Sequence, residues 1–188
     1  SMDESDFSHE VFEELIKTKY INKFASIGAA VAFLNHTTPI ISKGALISQE
    51  KDGVIKHRLI LDCRVSGTNR ATAKWERIIL PKIWDVIRDA LVLKGEATQD
   101  CVFRFLVCDI RDAFYKVPLL PRERPYYVLF FDLCYCVWAL LGQGSLNGPT
   151  LFGRQSAFLG RASQALLAGV GARLHIYSDG PIMCISAP

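Results

Sequence analysis

The chain has 188 residues, half of them hydrophobic, enough to bury a sizeable core and too apolar for a disordered polymer. Lys and Arg number 22 against 19 Asp and Glu, a net charge of +3, so bulk charge announces no nucleic-acid partner and any phosphate-binding surface must be local. The six cysteines, at 63, 101, 108, 134, 136 and 184, form no CxxC pair and have no His at zinc spacing, which argues against a metal–thiolate or disulfide framework and for reduced core thiols in an intracellular protein, cytoplasmic or nuclear.

The acidic opening DESDFSHE has no basic and apolar signal segment, so secretion is not expected, and with Ser as its first residue the chain reads as either a fragment or a trimmed version of a protein. Glu10 to Ala25, with Val11, Leu15 and Ile16 set against Glu13, Glu14, Lys17 and Lys19, predicts an amphipathic helix. Ile40–Ile47 and Val54–Asp62 are β-rich arms around the turn signal Lys51-Asp52-Gly53, a predicted hairpin. Lys82 to Leu93 has helical spacing at Ile83, Val86, Ile87 and Ala90, with Pro81 placed at its start. Val102 to Ile110 reads as a buried strand with Asp109 at its end.

Tyr126 to Gly142 is apolar apart from Asp132, but its β-branched and aromatic content and the turn at Phe131-Asp132-Leu133 predict two buried strands rather than a membrane span. Pro149–Ala168 reads as a helix after a Gly-rich turn, and Arg173–Tyr177 as a strand. Asp179-Gly180 between Ile176-Tyr177 and Ile182-Met183 predicts a tight type I′ hairpin whose positive φ glycine supplies. There is no internal repeat. The four histidines, 9, 36, 57 and 175, show no ligand spacing, and no Ser-His-Asp set can be assembled. The fold class is α/β (α+β), with carboxylates at strand ends.

Four segments in order carry a resemblance. KHRLILDCRVSGTN, Lys56 to Asn69, resembles the fingers motif of reverse transcriptases, K-x-R-x-x-x-D-x-R before a turn and an Asn. VCDIRDAFYKVPL, Val107 to Leu119, resembles their first palm motif, with an Asp followed five positions later by an aromatic residue and then by x-x-x-P-L. LLGQGSLNGP, Leu140 to Pro149, resembles the Q-G turn and helix that follow, and IYSDGP the Y-x-D-D hairpin with Gly180 where the second Asp stands. ERIILPKIWDVIRDA, Glu76 to Ala90, is similar to the linker and helix of retroelement polymerases, while later palm motifs, a thumb and a ribonuclease H domain find no match.

The resemblance implies a right-hand polymerase: a helical lead at 1–39, fingers at 40–100, and at 101–188 a partial palm with a fingers excursion, truncated before the thumb, built as an antiparallel sheet with packed helices. It implies RNA-directed DNA synthesis on an RNA or DNA template-primer from deoxynucleoside triphosphates, in a larger polyprotein and away from membranes. Two Mg²⁺ ions, held by Asp109, Asp179 and the Ile110 carbonyl, would serve an in-line phosphoryl transfer, for which hard cations need oxygen ligands. Taken singly, Asp109 reads rather as a polar strand terminus and Asp179 as a turn former; the ordered motifs reverse this in favour of the catalytic reading.

Lys51 and Arg58 are implied triphosphate contacts, or else a solvated hairpin edge. Asp112 and Ala113 fall where backbone amides approach the triphosphate, though Asp112 also suits a local cap. Phe114 falls where a ring excludes a 2′-hydroxyl, or is an ordinary core Phe. Gln143 and Gly144 would let the backbone approach the nucleotide, or form a Gly-rich loop without chemistry; no P-loop is present. Arg64 and Asn69 fall at template contacts, with a local Asp62–Arg64 ion pair as the alternative. Gly180 removes one of three acidic side chains, so the expected enzyme is impaired. The competing expectation is a non-catalytic nucleic-acid-binding remnant; an RNA-dependent RNA polymerase palm is disfavoured by Phe114.

Overall fold

The computed structural model describes the backbone of residues 6–51, 53–74, 76–98 and 100–187, and their side chains except those of residues 6–8 and 51. In chain order the elements are α1 (Asp6–Lys17), β1 (Ile21–Phe24), α2 (Ile27–Phe33), β2 (Ile41–Lys51), β3 (Val54–Asp62), α3 (Thr68–Ala71), α4 (Ile83–Glu96), β4 (Val102–Val107), β5 (Val128–Phe131), β6 (Cys134–Trp138), α5 (Gly148–Leu166), β7 (Ala172–Tyr177) and β8 (Gly180–Ala187). They form two compact units: Ser1–Trp75 with Phe114–Gly148, and Glu76–Ala113 with Pro149–Pro188.

The first unit is built on a five-stranded sheet, β1-β6-β5-β2-β3. Its pairs are antiparallel except β2 with β5, which run parallel at Ile41↔Val128 and Ser42↔Leu129, so the sheet is mixed and not the wholly antiparallel one expected. The predicted Tyr126–Gly142 hairpin forms, turning at Asp132 and Leu133 with φ of +48° and +54°. Its strands are largely buried, and no described helix is long and apolar enough to cross a membrane. Ala30 and Leu34 of the α2 segment pack on Val128 and Val137, and Phe12 of α1 stacks on Phe131 at 4.1 Å.

The single helix expected over Glu10–Ala25 is instead a helix ending at Lys17 and a strand, Ile21–Phe24, with a second helix beginning just beyond at Ile27. Lys19 adopts φ +60°, and the amides of Lys19 and Tyr20 return to the carbonyls of Ile16 and Leu15, the closing bonds of a helix stop. Beyond it Ile21–Phe24 pairs with Tyr135–Trp138, and the Ser26 hydroxyl caps α2 by accepting from the Ala29 amide. The predicted β2–β3 hairpin is present and longer than expected, paired from Lys43↔Asp62 to Lys51↔Val54; Asp52 and the Lys51 side chain lie outside the described residues.

The second unit is a three-stranded antiparallel sheet, β4-β8-β7, between two helices. Strand alternation sorts its faces. Ile182, Cys184 and His175 face α4, where Val86 and Leu93 complete the core; Leu174 and Ile176 face α5, whose Gln164 donates to the Ala172 carbonyl and accepts the Leu174 amide at 2.7 Å. Helix α4 matches the predicted element, begun by the Asp85 carboxylate accepting the Lys82 amide at 2.8 Å. The strand expected to be buried over Val102–Ile110 is shorter and exposed: β4 ends at Val107 and is an edge strand, with Phe105 56% and Val107 69% exposed.

All six cysteines are free thiols, but the expectation that they are core thiols holds for only Cys63, Cys136 and Cys184; Cys101 and Cys134 are half-buried and Cys108 is exposed.

Candidate functional site

In the second unit, register brings two predicted carboxylates to one end of the sheet. Val107 pairs with Ile182, and beyond the strand proper the ladder continues: the Cys108 amide donates to the Pro181 carbonyl at 2.9 Å and the Ile110 amide to the Asp179 carbonyl at 2.8 Å. Asp109 therefore stands opposite Gly180, one step from Asp179, although 69 residues separate the two acids in sequence. Residues directly opposite in an antiparallel pair lie about 4.5–5.5 Å apart at Cα. Both carboxylates are exposed, and among the described residues neither makes a hydrogen bond or an ion pair. Two acceptor-only groups, solvated and unneutralised at one strand end, suit a hard cation in donor type. No group of three or more His, Cys, Asp or Glu gathers at metal-binding spacing among the described residues.

The turn differs from its sequence reading. Tyr177 pairs with Gly180, so the two central residues are Ser178 and Asp179, and the positive φ falls on Ser178 at +57°. A positive first position followed by a negative second has the φ signs of a type II′ turn. Gly180 is the first residue of β8, outside the left-handed region, and a Cβ there would make only ordinary contacts, 3.5 Å from the Tyr177 carbonyl oxygen and 4.0 Å from that of Cys108. The turn does not require glycine at this position. Asp112 has φ +55° and an ion pair with Arg111 at 3.5 Å in place of a cap, and Ala113 is buried at the start of a 3₁₀ turn over Ala113–Lys116.

In the first unit, Arg58 is exposed on β3, opposite Ile47, and donates to the Gln49 side chain across the hairpin at 3.3 Å. Arg64 is exposed. The Asp62 carboxylate, instead of pairing with the Arg64 guanidinium, accepts the backbone amides of Arg64 and Val65 at 3.2 and 3.0 Å, which shapes the turn after β3. Phe114 is half-buried, its ring edge within 3.5 Å of where a Cβ on Gly148 would lie.

The loop holding Gln143 and Gly144 is fixed by contacts that the sequence did not announce. The Gln143 carbonyl accepts the Leu61 amide at 2.9 Å, beside the isolated bridge Ile60↔Gln143. Gly144 has φ +112°, and a Cβ there would lie 1.9 Å from the Leu61 carbonyl oxygen, so glycine is obligatory. The buried Tyr127 hydroxyl meets the Ser145 hydroxyl at 3.0 Å, and burial pushes the Tyr127 pKa up. Asn69 bonds this loop twice, donating to the Gly144 carbonyl at 2.9 Å and accepting the Leu146 amide at 2.8 Å. Tyr127 and Ser145 were not singled out in the sequence, since nothing at a spacing of 18 residues marks a hydroxyl pair.

No family model matches the chain, and no curated protein matches it in sequence. Among solved structures it is similar to a foamy viral protease-reverse transcriptase dRH in complex with ds DNA, at a TM-score of 0.59 and 18% identity. The match covers 93% of this chain and 25% of that one, so the chain spans about a quarter of its neighbour's length. The likeness is one of fold: the chain has a reverse-transcriptase-like α+β fold.

Proposed function

We propose that the chain is the fingers and partial palm of a retroelement reverse transcriptase, an RNA-directed DNA polymerase whose catalytic centre is impaired at Gly180. The observation that carries this reading is the ladder that sets Asp109 opposite Gly180 and beside Asp179, with both carboxylates exposed. In this reading residues 1–39 are the helical lead, 40–100 the fingers and 101–188 the partial palm with a fingers excursion; the two compact units divide the chain differently, since Glu76–Ala113 folds with Pro149–Pro188 and Phe114–Gly148 with the first unit.

In this reading Asp109 and Asp179, with the Ile110 carbonyl, hold the metal. Bound Mg²⁺ would supply charge stabilisation of the attacking and leaving oxygens. Arg58 and Lys51 neutralise the triphosphate, and the backbone of Asp112, Ala113, Gln143 and Gly144 approaches the nucleotide. Phe114 excludes the 2′-hydroxyl and Arg64 meets the template. Template-primer and deoxynucleoside triphosphates are the proposed partners, in keeping with a neighbour of like fold held on ds DNA.

The test is Mg²⁺-dependent primer extension by the chain, by Gly180→Asp and by Gly180→Asp with Asp109→Asn. Gly180→Asp is expected to raise extension by about a hundredfold or more, the scale of one lost transition-state ligand, and Asp109→Asn to abolish the gain. A second reading, a non-catalytic nucleic-acid-binding remnant, is favoured by the lack of a third metal-ligating residue among the described residues. It takes over if Gly180→Asp binds template-primer yet extends nothing and Mg²⁺ affinity ignores Asp109→Asn.

A further inference from the structure

We infer that Asn69 is a positioning residue, which holds the Gln143–Leu146 loop in the shape that receives a nucleotide and does not itself read the template strand. The inference rests on the reading above that the backbone of Gln143 and Gly144 approaches the nucleotide. A primary amide has one acceptor oxygen and one two-hydrogen donor, and both ends of Asn69 are committed to the same loop. The Oδ1 takes the Leu146 amide at 2.8 Å and the Nδ2 gives to the Gly144 carbonyl at 2.9 Å, so the two bonds straddle Ser145. The bonded residues are 75 and 77 positions away in sequence, and no local turn could supply these partners.

Asn69 can act as a brace because it is itself fixed. Its own amide donates to the Cys63 carbonyl at 2.9 Å, and the Thr72 hydroxyl donates to the Thr68 carbonyl at 2.8 Å, which ties down α3. The remaining supports of the loop come from elsewhere, the Leu61 amide on Gln143 and the Tyr127 hydroxyl on Ser145. Among the described residues, only the Asn69 side chain both donates to and accepts from the loop backbone. Without it, the Gly144 carbonyl and Leu146 amide turn to water around a glycine free to leave φ +112°. A nucleotide must then order the loop as it binds, at a cost in affinity.

The experiment compares the wild-type chain with Asn69→Ala and Asn69→Asp. The Asp variant keeps the acceptor for Leu146 but sets a carboxylate oxygen against the Gly144 carbonyl, and its near-identical shape keeps the test usable should Asn69→Ala fail to fold. Three quantities are read: hydrogen exchange of the residue 143–147 amides, the Kd for dTTP with Mg²⁺, and the Kd for a DNA template-primer duplex. In both variants loop exchange should quicken and the dTTP Kd rise about tenfold, the scale of one net hydrogen bond, while the template-primer Kd stays within about twofold. Unchanged loop protection, a loosened loop with unchanged dTTP affinity, or a loss falling equally or mainly on template-primer overturns the assignment. If the wild-type chain does not bind dTTP, the nucleotide reading fails and the inference falls with it. That failure appears in the unmutated protein and is thereby told apart from a failure of the brace.

Discussion

Arg58 projects from the exposed face of a paired strand, its guanidinium engaged only by the neutral Gln49 side chain among the described residues, and so is free to take a phosphate. Arg58→Ala should weaken Mg²⁺–dTTP binding by about 1 to 3 kcal/mol, the range for a charge-assisted bond; equal affinities in a titration would return Arg58 to the hairpin edge. The buried thiols make a second residue-level prediction. Burial pushes Cys63 from its ordinary 9.0 up to about 11 and Cys136 up to about 12, so both stay protonated in the folded chain where unfolded thiols ionise. Stability from these groups is complete below about pH 9 and is lost as pH climbs from there through 11 and 12. Denaturant melts across that window should show the loss, and Cys63→Ala with Cys136→Ala should reduce it. At this scale the sequence disclosed identities better than duties. Gly144 was legible as a point of close backbone approach, but not that the Leu61 carbonyl packs against its Cα, and Asn69 gave no sign that its partners lay more than 70 residues on.

Elements were most legible where hydrophobic pattern and turn chemistry agreed. The β2–β3 and β5–β6 hairpins, α4 and α5 all lie where composition put them, because each is written in contiguous residues. The N-terminal segment misled because its apolar spacing continues past Lys19, while the stop is made by a left-handed Lys and two backbone bonds, which leave no mark on residue type. Strand β4 misled differently: an apolar run says nothing of whether a sheet will cover it, and β4 took an edge. Strand β6 yields the sharpest element-level prediction. Trp138, fully buried and stacked on Tyr115 at 5.7 Å, anchors it, and its Nε1 has no hydrogen-bond partner among the described residues. Trp138→Ala should cost about 3 to 5 kcal/mol in unfolding free energy, and Trp138→Phe far less, since Phe keeps most of the ring and removes an unsatisfied donor. Similar losses in the two variants would mean that the indole nitrogen is bonded after all.

For the whole molecule, a net charge of +3 sets the expectation that nucleic-acid affinity comes from local phosphate contacts; binding to template-primer should weaken as salt rises, with a log–log slope that counts them, and a flat salt response would remove the nucleic-acid reading. The order of the four motifs was legible from one end of the chain to the other, but the composition of the two units was not, since each unit draws on separated stretches. One feature at the tip of β8 bears on the stability of the entire chain. Because the turn falls on Ser178 and Asp179, position 180 is ordinary strand, and a side chain there would stand opposite Asp109. An aspartate would meet no backbone strain but would crowd a third negative charge against two others, and like charges at this spacing repel. Glycine at this position adds no third charge to the pair. Gly180→Asp should lower the melting temperature in chelator and recover it as Mg²⁺ is added, whereas the wild-type chain should melt at nearly the same temperature in both.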